Sequence, residues 1–201
     1  EQYWSINSGN NGFDFKVNNG SLSYFNKVER YWITADYHMQ EVDTISCING
    51  ISADYHDMRI ADNGNYILMA YVSLIVDMSQ IVNNGDPNAL VKNCIALQEF
   101  DAGHNLIFEW NAIDYLDIGA YTNLNLTSQE FSWMHGNSIE IDYDENLIIS
   151  NRTSDEVFKI DRSTGEIIWI FGGPLNEFEI INDDLNGFSK QHDARRLDNG
   201  N

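Results

Sequence analysis

Three histidines and one arginine are the side chains in this sequence best suited to chemistry. His56 opens the stretch His-Asp-Met-Arg-Ile-Ala-Asp-Asn-Gly-Asn, and His192 opens His-Asp-Ala-Arg-Arg-Leu-Asp-Asn-Gly-Asn. The His, both Asp, the first Arg and the closing Asn-Gly-Asn recur at identical intervals. His135 opens a looser third copy, with two extra residues before Glu145-Asn146. An imidazole is a competent covalent nucleophile and a general acid near neutral pH. Arg152, at the end of Ile148-Ile149-Ser150-Asn151-Arg152, offers a planar fork to a tetrahedral oxyanion. Together these groups suit transfer of a sulfuryl or phosphoryl group, where most of the catalysis is charge stabilisation and positioning. Three histidines also match a Zn²⁺ site, but an arginine beside them opposes a cation, so no metal and no cofactor are expected. A structural role stays open as well, each histidine then being a strand-entry residue whose ring bonds to backbone.

The elements that would position these groups are strands. From Trp133 to Trp169 the runs Ser138–Asp142, Leu147–Ser150, Val157–Ile160 and Ile167–Phe171 are apolar or alternate apolar with polar residues, and Gly, Asp and Asn bound them. This is the pattern of half-buried antiparallel strands. His135 precedes the first run and Arg152 follows the second, so one hairpin would bring both to one end of a sheet. Residues 1–45 read as an earlier unit of the same kind, with an Asn-Gly hairpin between Phe13–Val17 and Leu22–Phe25. Residues 54–110 read as another, with a turn at Asp62–Asn65 and a strand from Tyr66 to Val76. His38 and His104 fall in turns and read as surface residues. Residues 111–132 read as a long loop or a short helix around Ala112–Ile118, and Phe178 and Phe188 as anchors of the loop that Gly172-Gly173-Pro174 opens.

Copies of a histidine, a strand, an acidic turn with Asn and a second strand argue for a repeat architecture. The intervals between the histidines are unequal, which suits sheets stacked about an axis with loop insertions better than a strict solenoid. A propeller blade takes about 40–50 residues and four strands, so 201 residues hold about four blades. The expectation is an all-β chain, residues 1–201 forming part of one β-propeller cut in mid-blade at the C-terminal end. In a propeller, equivalent positions of successive blades converge, so the three histidines and Arg152 would line one funnel.

Composition supports a packed all-β chain: 43% hydrophobic and 12% aromatic residues, with two prolines. The formal net charge of −20 argues against nucleic acid and anionic membrane surfaces as partners. Screening limits that repulsion to about 8–10 Å, so a local Arg and His cluster can still hold an anion. The longest apolar run, Tyr66–Val76, is too short to span a bilayer. Cys47 and Cys94 fit one disulfide or two buried thiols equally. Asp142, Asp144 and Glu145 lack the spacing of a calcium loop and read as a solvated acidic turn. The Gly172-Gly173 pair lacks the following Lys and helix of a phosphate-binding loop.

Taken as an ordered set, several segments resemble the bacterial arylsulfate sulfotransferase family. They are His-Asp-Met-Arg with Asp-Asn-Gly-Asn-Tyr-Ile-Leu-Met-Ala-Tyr, Met-His-Gly-Asn-Ser-Ile, Ile-Ser-Asn-Arg, Val-Phe-Lys-Ile-Asp-Arg-Ser-Thr-Gly-Glu-Ile-Ile-Trp, and Gln-His-Asp-Ala-Arg. The resemblance covers about residues 30–201. It implies a six-bladed propeller, export to the periplasm or beyond, and small aryl sulfate and phenol substrates, with a homodimer as one assembly. It implies sulfuryl transfer from the aryl sulfate to the phenol through a sulfohistidine, without a nucleotide donor. His192 then resembles the nucleophile, and His56 and His135 the flanking histidines that hold the sulfuryl group or protonate the leaving phenolate. Arg152 resembles the arginine on the sulfonyl oxygens and Asn137 a residue orienting His135, while Tyr55 and Trp133 fit aromatic walls for substrate and core packing equally well. The reading from another class is a non-catalytic propeller that binds a partner or carbohydrate at the cell surface. A hydrolase or lyase using the same pocket is the third.

Overall fold

A computed structural model describes residues 12–185 and 187–197. Thirteen strands carry them, with short 3₁₀ turns at Met78–Gln80, Ala112–Asp114 and Ile118–Ala120. β1 (Gly12–Asn18), β2 (Ser21–Asn26), β3 (Tyr31–Ala35) and β4 (Glu41–Ile45) form one antiparallel sheet in chain order. β5 (Ser52–Ile60), β6 (Tyr66–Val76), β7 (Ala89–Phe100) and β8 (Leu106–Asn111) form a second, again in chain order. β9 (Glu130–Ser132) pairs with β7 in parallel, a contact that alternation did not announce. β10 (Gly136–Ile141), β11 (Leu147–Asn151), β12 (Glu156–Ile160) and β13 (Ile167–Gly172) form the third antiparallel sheet. The fold is therefore all-β, built of consecutive antiparallel sheets, as the alternation predicts.

The chain divides into two compact units. The first holds the chain up to Ala70 with Leu97–Glu109, and the second holds Tyr71–Ala96 with the chain from Trp110 onward. The boundary falls inside three strands, β6, β7 and β8. The core of the first unit is Phe25, Trp32, Ile45, Ala53, Met58, Leu68 and Phe100, with Phe25 set edge-on to Trp32 at 5.3 Å. In the second, Trp110 is buried against Phe158 at 5.8 Å and its indole N–H donates to the Gly165 carbonyl at 2.9 Å.

The acidic turns repeat in detail. Between β3 and β4 the Asp36 N–H donates to Gln40 O and the Met39 N–H to Asp36 O. The same pair of bonds closes Ala61–Asn65 between β5 and β6, Asp101–Asn105 between β7 and β8, and Asp142–Asn146 between β10 and β11. Each places its fourth residue at positive φ: Met39 at 63°, Gly64 at 85°, His104 at 63° and Glu145 at 66°. The Asp and Asn side chains of these turns accept backbone N–H groups, as Asp36 Oδ1 does from His38 and Gln40 and Asp101 Oδ1 from Gly103 and Asn105. Short polar side chains do this readily and hold the chain reversal.

Candidate functional site

Within the second unit, the hairpin β10–β11 and the turn from Arg152 to Asp155 place the expected groups. His135 stands just before β10, and Asn151 closes β11 opposite Gly136. The His135 N–H donates to Asn151 Oδ1 at 2.9 Å, and the Arg152 N–H donates to His135 O at 2.8 Å. The two residues therefore meet at one end of the sheet, as the strand order requires. Among the described residues no carboxylate pairs with the Arg152 guanidinium. Tyr71 OH donates to Gly136 O at 2.6 Å, fixing the residue between His135 and Asn137.

His192 joins them along a segment with no strand pairing. Its ring meets that of His135 edge to face, with centroids 5.9 Å apart. His192 Nδ1 lies 3.1 Å from Lys190 O. A carbonyl only accepts, so Nδ1 carries the proton and the Nε2 lone pair is left for chemistry. The segment is fastened on every side. Ser189 Oγ and the Lys190 N–H both donate to Asp155 Oδ1. Gln191 Nε2 reaches Ser150 Oγ, Asn151 O and Glu156 O at 3.2, 3.2 and 2.7 Å. The side chain of Asn137 brackets His192: Nδ2 donates to Gln191 O at 3.0 Å and Oδ1 accepts the Asp193 N–H at 3.1 Å. Asn137 was expected to orient His135. It holds the backbone on both sides of His192 instead, because a residue on β10 faces the neighbouring chain segment and not its own strand's predecessor.

Below this layer lies a buried polar cluster that sequence reasoning missed. Asn151 Nδ2 donates to Ser154 Oγ and Glu156 Oε2, and Tyr121 OH donates to the same Oε2 at 3.2 Å. Glu156 is fully buried. Burial pushes its carboxyl up to about 7, against the pull of the Asn151 and Tyr121 hydrogen bonds. Burial also raises the Tyr121 phenol, helped by the Glu156 charge beside it. The only sequence signal was a Glu opening the strand Glu-Val-Phe-Lys-Ile directly after the polar run Asn-Arg-Thr-Ser-Asp.

Several expectations change. His56 does not precede a strand; it lies inside β5, whose pairing begins four residues earlier at Ser52. Its N–H and its Nδ1 both bond Asp54 Oδ1, a carboxylate only 5% exposed. The i, i+2 spacing on a strand puts both residues on one face, so Asp54 was findable as the group that fixes the His56 tautomer. Tyr55 stacks on His56 at 4.4 Å and also packs on Phe13 and Phe25. Trp133 is wholly buried, with its ring against Tyr121, so it is core and not a substrate wall. His192 stands before no strand among the described residues, and Asp198–Asn201, the end of its repeat copy, lie outside them. The acidic turn is not simply solvated: Asp142, 4% exposed, binds Lys159 and Arg196, and Asp144 also binds Lys159. Both cysteines are free thiols. Phe178 packs on Trp169 and Phe171, and Phe188 on Phe171, so both do anchor their loop.

Next to His192, a cleft of about 350 Å³ exposes the apolar face of β11–β13, lined by Ile148, Val157, Trp169, Phe171 and Phe188. Among the described residues no three His, Cys, Asp or Glu side chains converge as a metal site, and no helix is long and apolar enough to cross a membrane.

The all-β chain brings two histidine rings and the Arg152 backbone together at the end of one sheet. The family model for arylsulfotransferase (ASST) matches residues 4–201, and the chain belongs to that family. No curated protein matches the sequence. A solved structure from Bacteroides caccae, described as a protein of unknown function, is similar at a TM-score of 0.46 and 11% identity. The match covers 94% of this chain and 49% of that one, so this chain spans about half the length of the protein it resembles.

Proposed function

We propose that the parent protein transfers a sulfuryl group from an aryl sulfate to a phenol, with His192 as the covalent carrier. The observation that carries this reading is the edge-to-face pair of His135 and His192 at 5.9 Å, with Nδ1 of His192 tied to a carbonyl and its Nε2 left as the nucleophile. In the first half-reaction the Nε2 lone pair attacks sulfur, the S–N bond forms, and the S–O bond to the aryl group breaks. The phenolate leaves with that electron pair and takes a proton from a flanking imidazole. In the second, an acceptor phenol gives its proton back to that imidazole and attacks sulfur. The S–N bond breaks and its electrons return to His192.

In this reading Arg152 and His135 balance the charge on the three equatorial oxygens. His56 lies in the first unit, its Nδ1 held by Asp54, and its part as the second flanking histidine is carried by the family pattern alone. A six-bladed propeller, aryl contact at Tyr55, and export to the periplasm or the medium belong to the same proposal. The test is release of nitrophenol from nitrophenyl sulfate by the complete protein, with and without added phenol. Phenol-dependent release in wild type, reduced at least about 1000-fold in His192→Ala, is the expected result. Release without dependence on phenol would replace transfer by hydrolysis. No release from folded protein would turn the reading to a binding propeller.

A further inference from the structure

We propose that Glu156 is a positioning residue for this site: through Asn151 its buried carboxyl group holds His135 and Arg152 in their mutual places. The inference rests on the sulfuryl-transfer reading only for what the site does, not for the geometry.

The geometry is a short relay. Glu156 Oε2 accepts from Asn151 Nδ2. Asn151 Oδ1 accepts the His135 N–H, and His135 O accepts the Arg152 N–H. From the other side Glu156 O accepts Gln191 Nε2, the residue before His192. One buried side chain and its own carbonyl thus touch the supports of all three groups. The space around it is closed: a Cβ at Gly173 would stand 2.3 Å from Glu156 Cγ and 2.9 Å from Oε1. Gly173 also sits at φ 63°, so this position fits the carboxyl both by size and by backbone.

The second observation is that Glu156 Oε1 has no hydrogen-bond partner although it is buried. A buried carboxylate with one bare oxygen is expensive, and the neutral acid far less so. Among the described residues no cation offsets it. The groups facing it are the Tyr121 phenol from the loop before β9, Asn151 from β11, and Ser154 and Asp155 from the β11–β12 turn. The charge of Asp155 further disfavours ionisation, and the whole balance puts the carboxyl at about 7. Ionisation strengthens the bonds that Oε2 accepts but leaves a charged, bare Oε1 in the interior, and that cost weakens the packed cluster as pH rises toward 7.

Hydrogen exchange in the complete protein, read on peptides that contain the His135 and Arg152 amides and corrected for intrinsic base catalysis, tests this. Wild type is expected to lose protection by up to about tenfold per pH unit between about 4.3, the ordinary glutamate value, and 7, and to level off above 7. Glu156→Gln, neutral at every pH, is expected to keep protection flat, and Glu156→Ala to lose it throughout. The kcat for phenol-dependent transfer should fall as the carboxyl ionises around pH 7 in wild type and stay flat in Glu156→Gln. Equal pH dependence in wild type and Glu156→Gln overturns the proposal. So does a wild-type Glu156 carboxyl carbon resonance that titrates below pH 5, a measurement that needs no variant to fold. The expected exchange profiles in a protein without transfer activity would uphold the positioning role and remove the sulfotransferase reading instead.

Discussion

At the scale of single residues, the second unit depends on side-chain amides that do the work of a missing backbone ladder. Asn137 takes the carbonyl of Gln191 and the N–H of Asp193. In the first unit Asn18 takes the Met58 carbonyl and the Ile60 N–H in the same i, i+2 manner. Asn137→Ala removes the bracket around His192 without touching a reacting atom. The expected result is a kcat about 100-fold lower with KM little changed, since small misplacements of a reacting group cost that much; steady-state kinetics on nitrophenyl sulfate decide it. A different residue carries stability. Asp142 binds Arg196 and Lys159 from a buried position, and the Arg196 guanidinium first, then Lys159, holds its carboxyl well below the usual range. Its folded pKa lies below its unfolded one, so the stabilisation is complete above about pH 4. It is lost only as pH falls through the lower folded value. Asp142→Asn removes the Arg196 ion pair and one of the two carboxylates on Lys159, 6% exposed, leaving Asp144 on it, and should cost about 1.5–3 kcal/mol in denaturant unfolding at pH 7, with the deficit closing in strong acid. The acidic side chain itself was plain in the sequence. Its cation partners were not, because Lys159 lies across the β11–β12 ladder and Arg196 on a segment far along the chain.

At the scale of elements, strands and turns were legible and the links between sheets were not. Phe13–Val17, Leu22–Phe25, Tyr66–Val76 and the four runs after Trp133 all fall in strands, except that Ser138–Asp142 overruns β10 by Asp142. Local alternation and Asn, Asp and Gly punctuation are enough to define a hairpin. His56 was misplaced because Ser52–Tyr55 lacks clean alternation and its pairing depends on β6, not on its own pattern. β9 was missed for the same reason: three residues with a parallel partner leave no local trace. The β12–β13 connection gives an element-scale prediction. Gly165 sits at φ 81°, and a Cβ there would stand 2.5 Å from the Tyr115 hydroxyl and 3.0 Å from Trp110 Cδ1. Gly165→Ala combines the left-handed backbone penalty of about 1–2 kcal/mol with displacement of the Trp110 ring from a buried contact. A loss of about 2–4 kcal/mol is expected. Thermal unfolding followed by tryptophan fluorescence reads both effects, whereas an unchanged midpoint would mean that the turn relaxes freely.

At the scale of the whole molecule, a net charge of −20 surrounds a site argued to bind an anion, and the two scales make opposite demands. If long-range repulsion governs encounter with an aryl sulfate, salt should help: the Debye length falls from about 30 Å at 0.01 M to about 8 Å at 0.15 M, hiding most of the distant carboxylates from the approaching donor. If short-range attraction to Arg152 and the histidines governs, salt should hurt, because the same ions screen the favourable contact. Contacts within a few ångströms and out of water are screened far less than charges spread over a surface. The distributed negative charge therefore dominates the salt response. KM for nitrophenyl sulfate is expected to fall several-fold between 0.01 and 0.15 M salt, with kcat nearly constant because the bound geometry is set by hydrogen bonds. A neutral phenol acceptor supplies the internal control, since its KM has no charge to be repelled and should stay flat over the same range. A donor KM that rises with salt would mean that the field at the mouth of the site is positive despite the overall charge, and that Arg152 acts on the donor before binding as well as after it.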